Sequence, residues 1–132
     1  RDKAKDYLEK AGRGRREHLE WIYERVMESL RGEHYQQALR YLRQLEEEGP
    51  ESDLLDRAVG WLREGDRARE LYRYAHFEIV MKRRRDDWPT ALALFRMLGD
   101  YLPKGKLREK ARRSAKNLVK QMRKVGASIP DF

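Results

Sequence analysis

Basic side chains are the residues whose type and spacing point most directly to chemistry in this sequence, and that chemistry is the capture of anions. Between Lys104 and Lys124, ten Lys or Arg stand against a single acid, Glu109. Read as a helix at about 100° per residue, the stretch puts Leu107, Ala111, Ser114, Leu118 and Met122 on one narrow stripe, which Val125 extends if the helix reaches it. Arg112, Arg113, Lys116, Lys120, Arg123 and Lys124 fan over the opposite side, with Lys104, Lys106, Arg108 and Lys110 leading into them. A solvated helix face ordinarily mixes signs, because like charges four apart cost the helix roughly a few tenths of a kcal/mol per pair. A face that tolerates this repulsion predicts a polyanion that offsets it.

Lys82, Arg83, Arg84 and Arg85 form a second basic cluster, and Arg13, Arg15 and Arg16 a candidate arm. Such contacts go to phosphate backbone and carry little sequence readout. Six of them would give a log–log salt slope of about −5. Base stacking is not expected, since aromatics interleave poorly with the basic face and only Trp88, Tyr72 and Tyr74 lie close to it in sequence. The competing reading of the last helix is a soluble cap on a helical stack. An anionic membrane surface is a poorer match, because the narrow apolar stripe holds no Trp or Phe.

Catalytic constellations are missing from the pattern. His18, His34 and His76 are too dispersed for a helical metal pair, and none follows a Glu three residues earlier. Gly12-Arg13-Gly14 is a fragment without the strand that a phosphate-binding loop needs. Ser29, Ser52, Ser114 and Ser128 each fit a helix, cap or tail. The expectation is therefore no enzyme, no cofactor and no metal. Glu46, Glu47 and Glu48 oppose the dipole at a helix C-terminus and read as a solvated end, or as a docking spot for a basic partner segment.

Composition sets the frame for these groups. The 132 residues amount to one domain, with 41% charged residues, nine Gly and four Pro, which favours long helices over strands. No apolar run is long enough for a membrane span. The start at Arg1-Asp2-Lys3 is no signal peptide and, lacking Met, reads as a trimmed or partial chain. Without cysteine there is no disulfide or thiolate chemistry, and a cytoplasmic location is expected. Charge is polarised along the chain. Residues 17–64 hold six bases and twelve acids, whereas residues 65–132 hold eighteen bases and eight acids. Such polarity steers a polyanion to one side or permits head-to-tail oligomerisation.

Six antiparallel helices are expected to position these groups: residues 16–31, 34–48, 53–64, 67–84, 88–101 and the basic helix to 124. A flexible basic lead-in precedes them at 1–15, and 16–125 form a single all-helical domain. The tail, 126–132, is expected to fray or to dock through Phe132. Ser52 or Asp53 caps the third helix, and Pro89 sits acceptably in the first turn of the fifth. Phe77, Val80 and Met81 widen the apolar side of the fourth helix, which makes it the expected central one.

Two stretches are alike. Residues 33–50 and 86–103 each place Ala three residues after an aromatic, then a large apolar residue, a Leu and a Pro: Ala38/Ala91, Leu42/Phe95, Leu45/Leu98 and Pro50/Pro103. The pattern resembles the second helix of a tetratricopeptide repeat. It departs in having Leu where a small residue precedes the breaker, and in a spacing of 53 residues from Ala38 to Ala91 against the family's roughly 34. The resemblance implies a right-handed helical stack, with a compact bundle as the alternative, and a groove that binds a partner peptide or helix. On this reading the chain is a non-catalytic scaffold or adaptor, with Trp21, Tyr41, Trp61, Tyr74 and Trp88 as candidate protein contacts. The other expectation is a basic nucleic-acid-binding subunit using Lys82, Arg83, Arg84, Arg85, Arg108, Arg112, Arg113, Lys116, Lys120, Arg123 and Lys124.

Overall fold

A computed structural model describes the backbone of residues 2–132 and the side chains from Gly14 onward. The chain is all-helical among these residues. Its elements are α1 (Asp2–Arg31), α2 (Tyr35–Glu48), α3 (Asp53–Arg63), α4 (Arg67–Arg73), α5 (Trp88–Tyr101) and α6 (Lys106–Lys124). A π-helical segment, Tyr74–Val80, continues α4, and a short 3-10 turn, Arg85–Asp87, leads into α5.

Apolar periodicity accounts for most of this. In α2 the buried positions Tyr35, Ala38, Leu39, Leu42 and Leu45 repeat every three or four residues, the signature of one face against a core. Ser52 caps α3 by accepting the Leu54 N–H at 3.1 Å, and Asp53 and Asp56 in its first turn complement the helix dipole. Two helices end in tight turns whose left-handed residue is not glycine. The φ angles of Glu33 and Arg83 are 61° and 53°. In each turn the next N–H reaches back five residues, His34 to Ser29 O at 2.8 Å and Arg84 to Ile79 O at 3.0 Å.

The core is organised around α5. Helix α1 pairs with α2, α2 rests on α5, and α6 packs extensively along α5, while α3 bridges α1, α2 and α4. Ten residues of α5 are buried, among them Trp88, Leu92, Leu94, Phe95, Met97 and Leu98. The expectation that the fourth helix is central is thereby corrected. Its extra apolar residues Phe77 and Met81 are exposed, whereas α5 is apolar nearly all round, the pattern of a helix enclosed by neighbours.

Helix α1 also runs through Gly12 and Gly14 without a break, where a flexible lead-in was expected. Glycine costs a helix about 1 kcal/mol relative to Ala but removes no hydrogen bond. Just beyond, Arg16 pairs with Glu20 within the helix and with Asp53 at the start of α3, each at 2.9 Å. Arg13 lies outside the described side chains. The tail docks: Ile129 and Phe132 pack on the core, and the Arg40 guanidinium lies 5.0 Å from the Phe132 ring centroid.

Candidate polyanion interface

Helix α6 carries its bases on two faces that do different work. Arg108 and Arg112, one turn apart, point at the C-terminal end of α5. Arg112 Nε donates to Gly99 O at 2.8 Å, and Arg108 Nη1 to Leu102 O at 3.4 Å. These are the carbonyls that a helix end leaves open, and a cation there suits the dipole. Gly99 permits the approach, since a Cβ at this position would stand 2.9 Å from Arg112 Cγ. Arg108 and Arg112 therefore join α6 to α5, Arg108 half-buried and Arg112 still exposed as an outward base. Arg113, Lys116, Lys120, Arg123 and Lys124 are exposed. Among the described residues no carboxylate lies within ion-pair distance of any base from Lys104 to Lys124.

The 82–85 cluster meets the far end of this helix. Arg83, Arg85, Lys124 and Gln121 line one shallow groove together with Met81, Trp88 and Val125. Lys82 does not contribute a free charge there, because its ammonium lies 2.6 Å from Glu78, whose carboxyl it holds below the usual range. Trp88 is 4% exposed and so is a core residue and no surface anchor. Its position at the start of the most enclosed helix explains the burial. Its indole N–H is buried without a hydrogen-bond partner among the described residues.

A groove of about 1110 Å³ opens between α4 with its π segment and the first half of α6. Both elements pack on α5, and a 2.8 Å hydrogen bond between Tyr72 Oη and Ser114 Oγ joins them. Eight Lys or Arg and one acid, Glu109, line it. Of these bases, Arg69 alone has a carboxylate neighbour among the described residues, Asp66 at 3.9 Å. Along one wall runs an aromatic series. The Tyr72 and His76 rings stack at 5.7 Å, and His76 meets Phe77 edge-on at 4.7 Å. Lys110 Nζ lies 5.5 Å from the Tyr72 centroid. Sequence reading passed over Arg69, Arg73, His76 and Phe77. The signal was present, for residues 69, 73 and 77 are four apart and share a helix face.

The remaining aromatic candidates separate. Trp21 is 46% exposed and sits edge-on to half-buried Tyr41, with centroids 6.0 Å apart. Arg25 lies 5.4 Å from its centroid. Trp61 is half-buried and covered by Arg67 at 3.9 Å. Tyr74 is exposed on the π segment. Of the acid run, Glu46 accepts from Tyr101 Oη at 2.9 Å and Glu48 pairs with His18 at 2.8 Å. No group of three or more His, Asp or Glu is arranged to hold a metal among the described residues, and no described helix is long and apolar enough to cross a membrane.

No family model, curated protein or solved structure matches this chain.

Proposed function

We propose that this helical domain binds nucleic acid through its phosphate backbone, using the outer face of α6 together with Arg83, Arg84 and Arg85. The observation that carries this reading is the lack of internal neutralisation: ten bases lie between Lys104 and Lys124, and none has a carboxylate partner among the described residues. Like charges so placed cost folding free energy; phosphates beside them relieve the repulsion, and counterions released from the polyanion drive the association. Backbone contacts of this kind position a ligand without reading its sequence.

The test is fluorescence anisotropy with labelled DNA and RNA over a salt series, with Lys116→Glu/Lys120→Glu/Arg123→Glu as the control protein. Binding at about 0.15 M salt, with a log–log slope near −5 for six contacts and lost in the triple variant, is the expected result. No binding at about 50 mM salt contradicts the reading.

A second reading, the adaptor implied by the tetratricopeptide resemblance, is favoured by one separate observation. Trp21, Tyr41 and Arg25 form an exposed aromatic-cationic cluster on α1 and α2, the residue types that dominate protein interfaces. A photocrosslinker at position 21 should capture a single dominant protein, and one at the Arg67-covered position 61 should not. Equal, diffuse labelling from both positions counts against it.

A further inference from the structure

We infer that the groove between the π segment and the first half of α6 takes single-stranded nucleic acid, stacking a base on Phe77 while Arg73, Lys106 and Lys110 hold the adjoining phosphates. The inference rests on the backbone-binding reading above and adds the class of strand. Charge complementarity comes first. The groove is lined by eight bases and one acid, so its occupant is strongly anionic. The aromatic wall supplies the second part. Tyr72 is buried, His76 half-buried and Phe77 49% exposed, so the series rises from the core and ends on a ring open to solvent beside the cations.

A side chain of that size left half in water, next to unpaired cations, suits a ligand with both a charge and a flat apolar face. Nucleobases stack on aromatic rings with little regard to sequence, and such platforms within basic grooves are the usual means of holding single strands. A duplex keeps its base faces stacked inside and has none to offer Phe77. An independent feature lies at the same place. His76 and Phe77 belong to the seven-residue π segment, and π geometry is rare and concentrates at functional sites. The groove volume of about 1110 Å³ slightly exceeds the upper end of ordinary small-ligand pockets, which suits a short run of strand over a lone small anion.

The experiment compares three labelled ligands on the full chain: a single-stranded oligothymidine, its duplex, and an abasic strand with the same number of phosphates. Oligothymidine should bind about tenfold tighter than the abasic strand and tighter than the duplex. Phe77→Ala should weaken oligothymidine about fivefold or more, leave the abasic strand and the salt slope unchanged, and keep the wild-type melting temperature, since the ring is half in solvent. Arg73→Glu/Lys110→Glu should weaken all three ligands and flatten the slope. If oligothymidine and the abasic strand bind alike, or Phe77→Ala has no effect, the groove inference is overturned. The backbone reading then still stands provided the triple change at Lys116, Lys120 and Arg123 weakens the duplex. Absence of binding to every ligand at about 50 mM salt overturns both.

Discussion

The two halves of the molecule handle charge in opposite ways. Around α1, α2 and α3 the surface is acidic and several of its bases are paired: Arg16 bridges Glu20 and Asp53, Arg25 meets Glu28, and Arg57 meets Asp53. Arg43 crosses to α5, 2.7 Å from Asp100 and 3.2 Å from Tyr101 Oη. In α6 no base has such a partner among the described residues, and the only polar work done by its cations is the pair of bonds from Arg108 and Arg112 to the end of α5. Exposed ion pairs are worth about 0–1 kcal/mol each, so pairing is not what keeps the first half folded. The difference lies elsewhere: in one half several bases are held by carboxylates within a net acidic surface, and in the other the bases of α6 stand without carboxylate partners among the described residues.

The comparison breaks most readily at the outer face of α6. Reversing Lys116, Lys120 and Arg123 to Glu should lower nucleic-acid affinity by roughly a hundredfold or more and at the same time raise the melting temperature slightly, since Arg112/Lys116 and Lys120/Lys124 become opposite-charge pairs while Lys116/Lys120 exchanges one like pair for another. A fall in both would mean that the basic face is structural. A sharper cut separates neighbours. Arg112→Ala should cost about 1 kcal/mol of stability through the lost bond to Gly99 O, whereas Arg113→Ala should stay within about 0.5 kcal/mol and weaken binding. Denaturant melts and anisotropy on the two variants decide this.

Arg83 offers a similar opposition within one residue. Its left-handed backbone costs a non-glycine residue about 1 kcal/mol, so Arg83→Gly should gain up to about that amount while reducing the salt slope by about 0.9 for duplex DNA.

Titration should mark the first half and its seam with α5. Burial pushes the Tyr101 hydroxyl up from 10.0 to about 12. A raised pKa contributes stability below pH 10 that is lost as pH rises towards 12, and Tyr101→Phe should remove that slope. In acid the sense is reversed. The hydrogen bond from Arg16 holds Asp53 below its ordinary 3.8, and those from Gln44 and His18 hold Glu48 below 4.5. Their small contribution is present above those values and is lost as pH falls through the depressed ones. Melts across both ranges check the two slopes, and α6 should add little to the acid slope, having a single carboxylate.

Local signals were legible where one physical term dominated. Helix bounds in α2, α3 and α5 follow from apolar spacing, the Ser52 cap and Pro89. The α6 stripe was read from spacing alone, with Ala111, Leu118 and Met122 buried as the pattern requires. What escaped depended on neighbours. Nothing in the spacing of Phe77 and Met81 tells an inward apolar residue from one left exposed, and the i→i+5 bonds of the π segment leave no pattern in residue type. Arg108 and Arg112 looked like any outward base until Gly99 and Leu102 were seen to lie opposite. Each groove is assembled from elements distant in sequence, α4 and its π segment with the start of α6 in one and the 80–88 turn with the end of α6 in the other, a tertiary fact that no single helix carries.

Hydrogen exchange of the whole chain, with and without saturating single-stranded oligonucleotide, tests the contrast between the halves most directly. Protection gained at Tyr74–Arg85 and along Lys106–Lys124, with α1 and α2 unchanged, is the predicted result. Protection centred instead on α1 and α2 near Trp21 and Tyr41, or none anywhere, would contradict the assignment of ligand binding to the unpaired basic half.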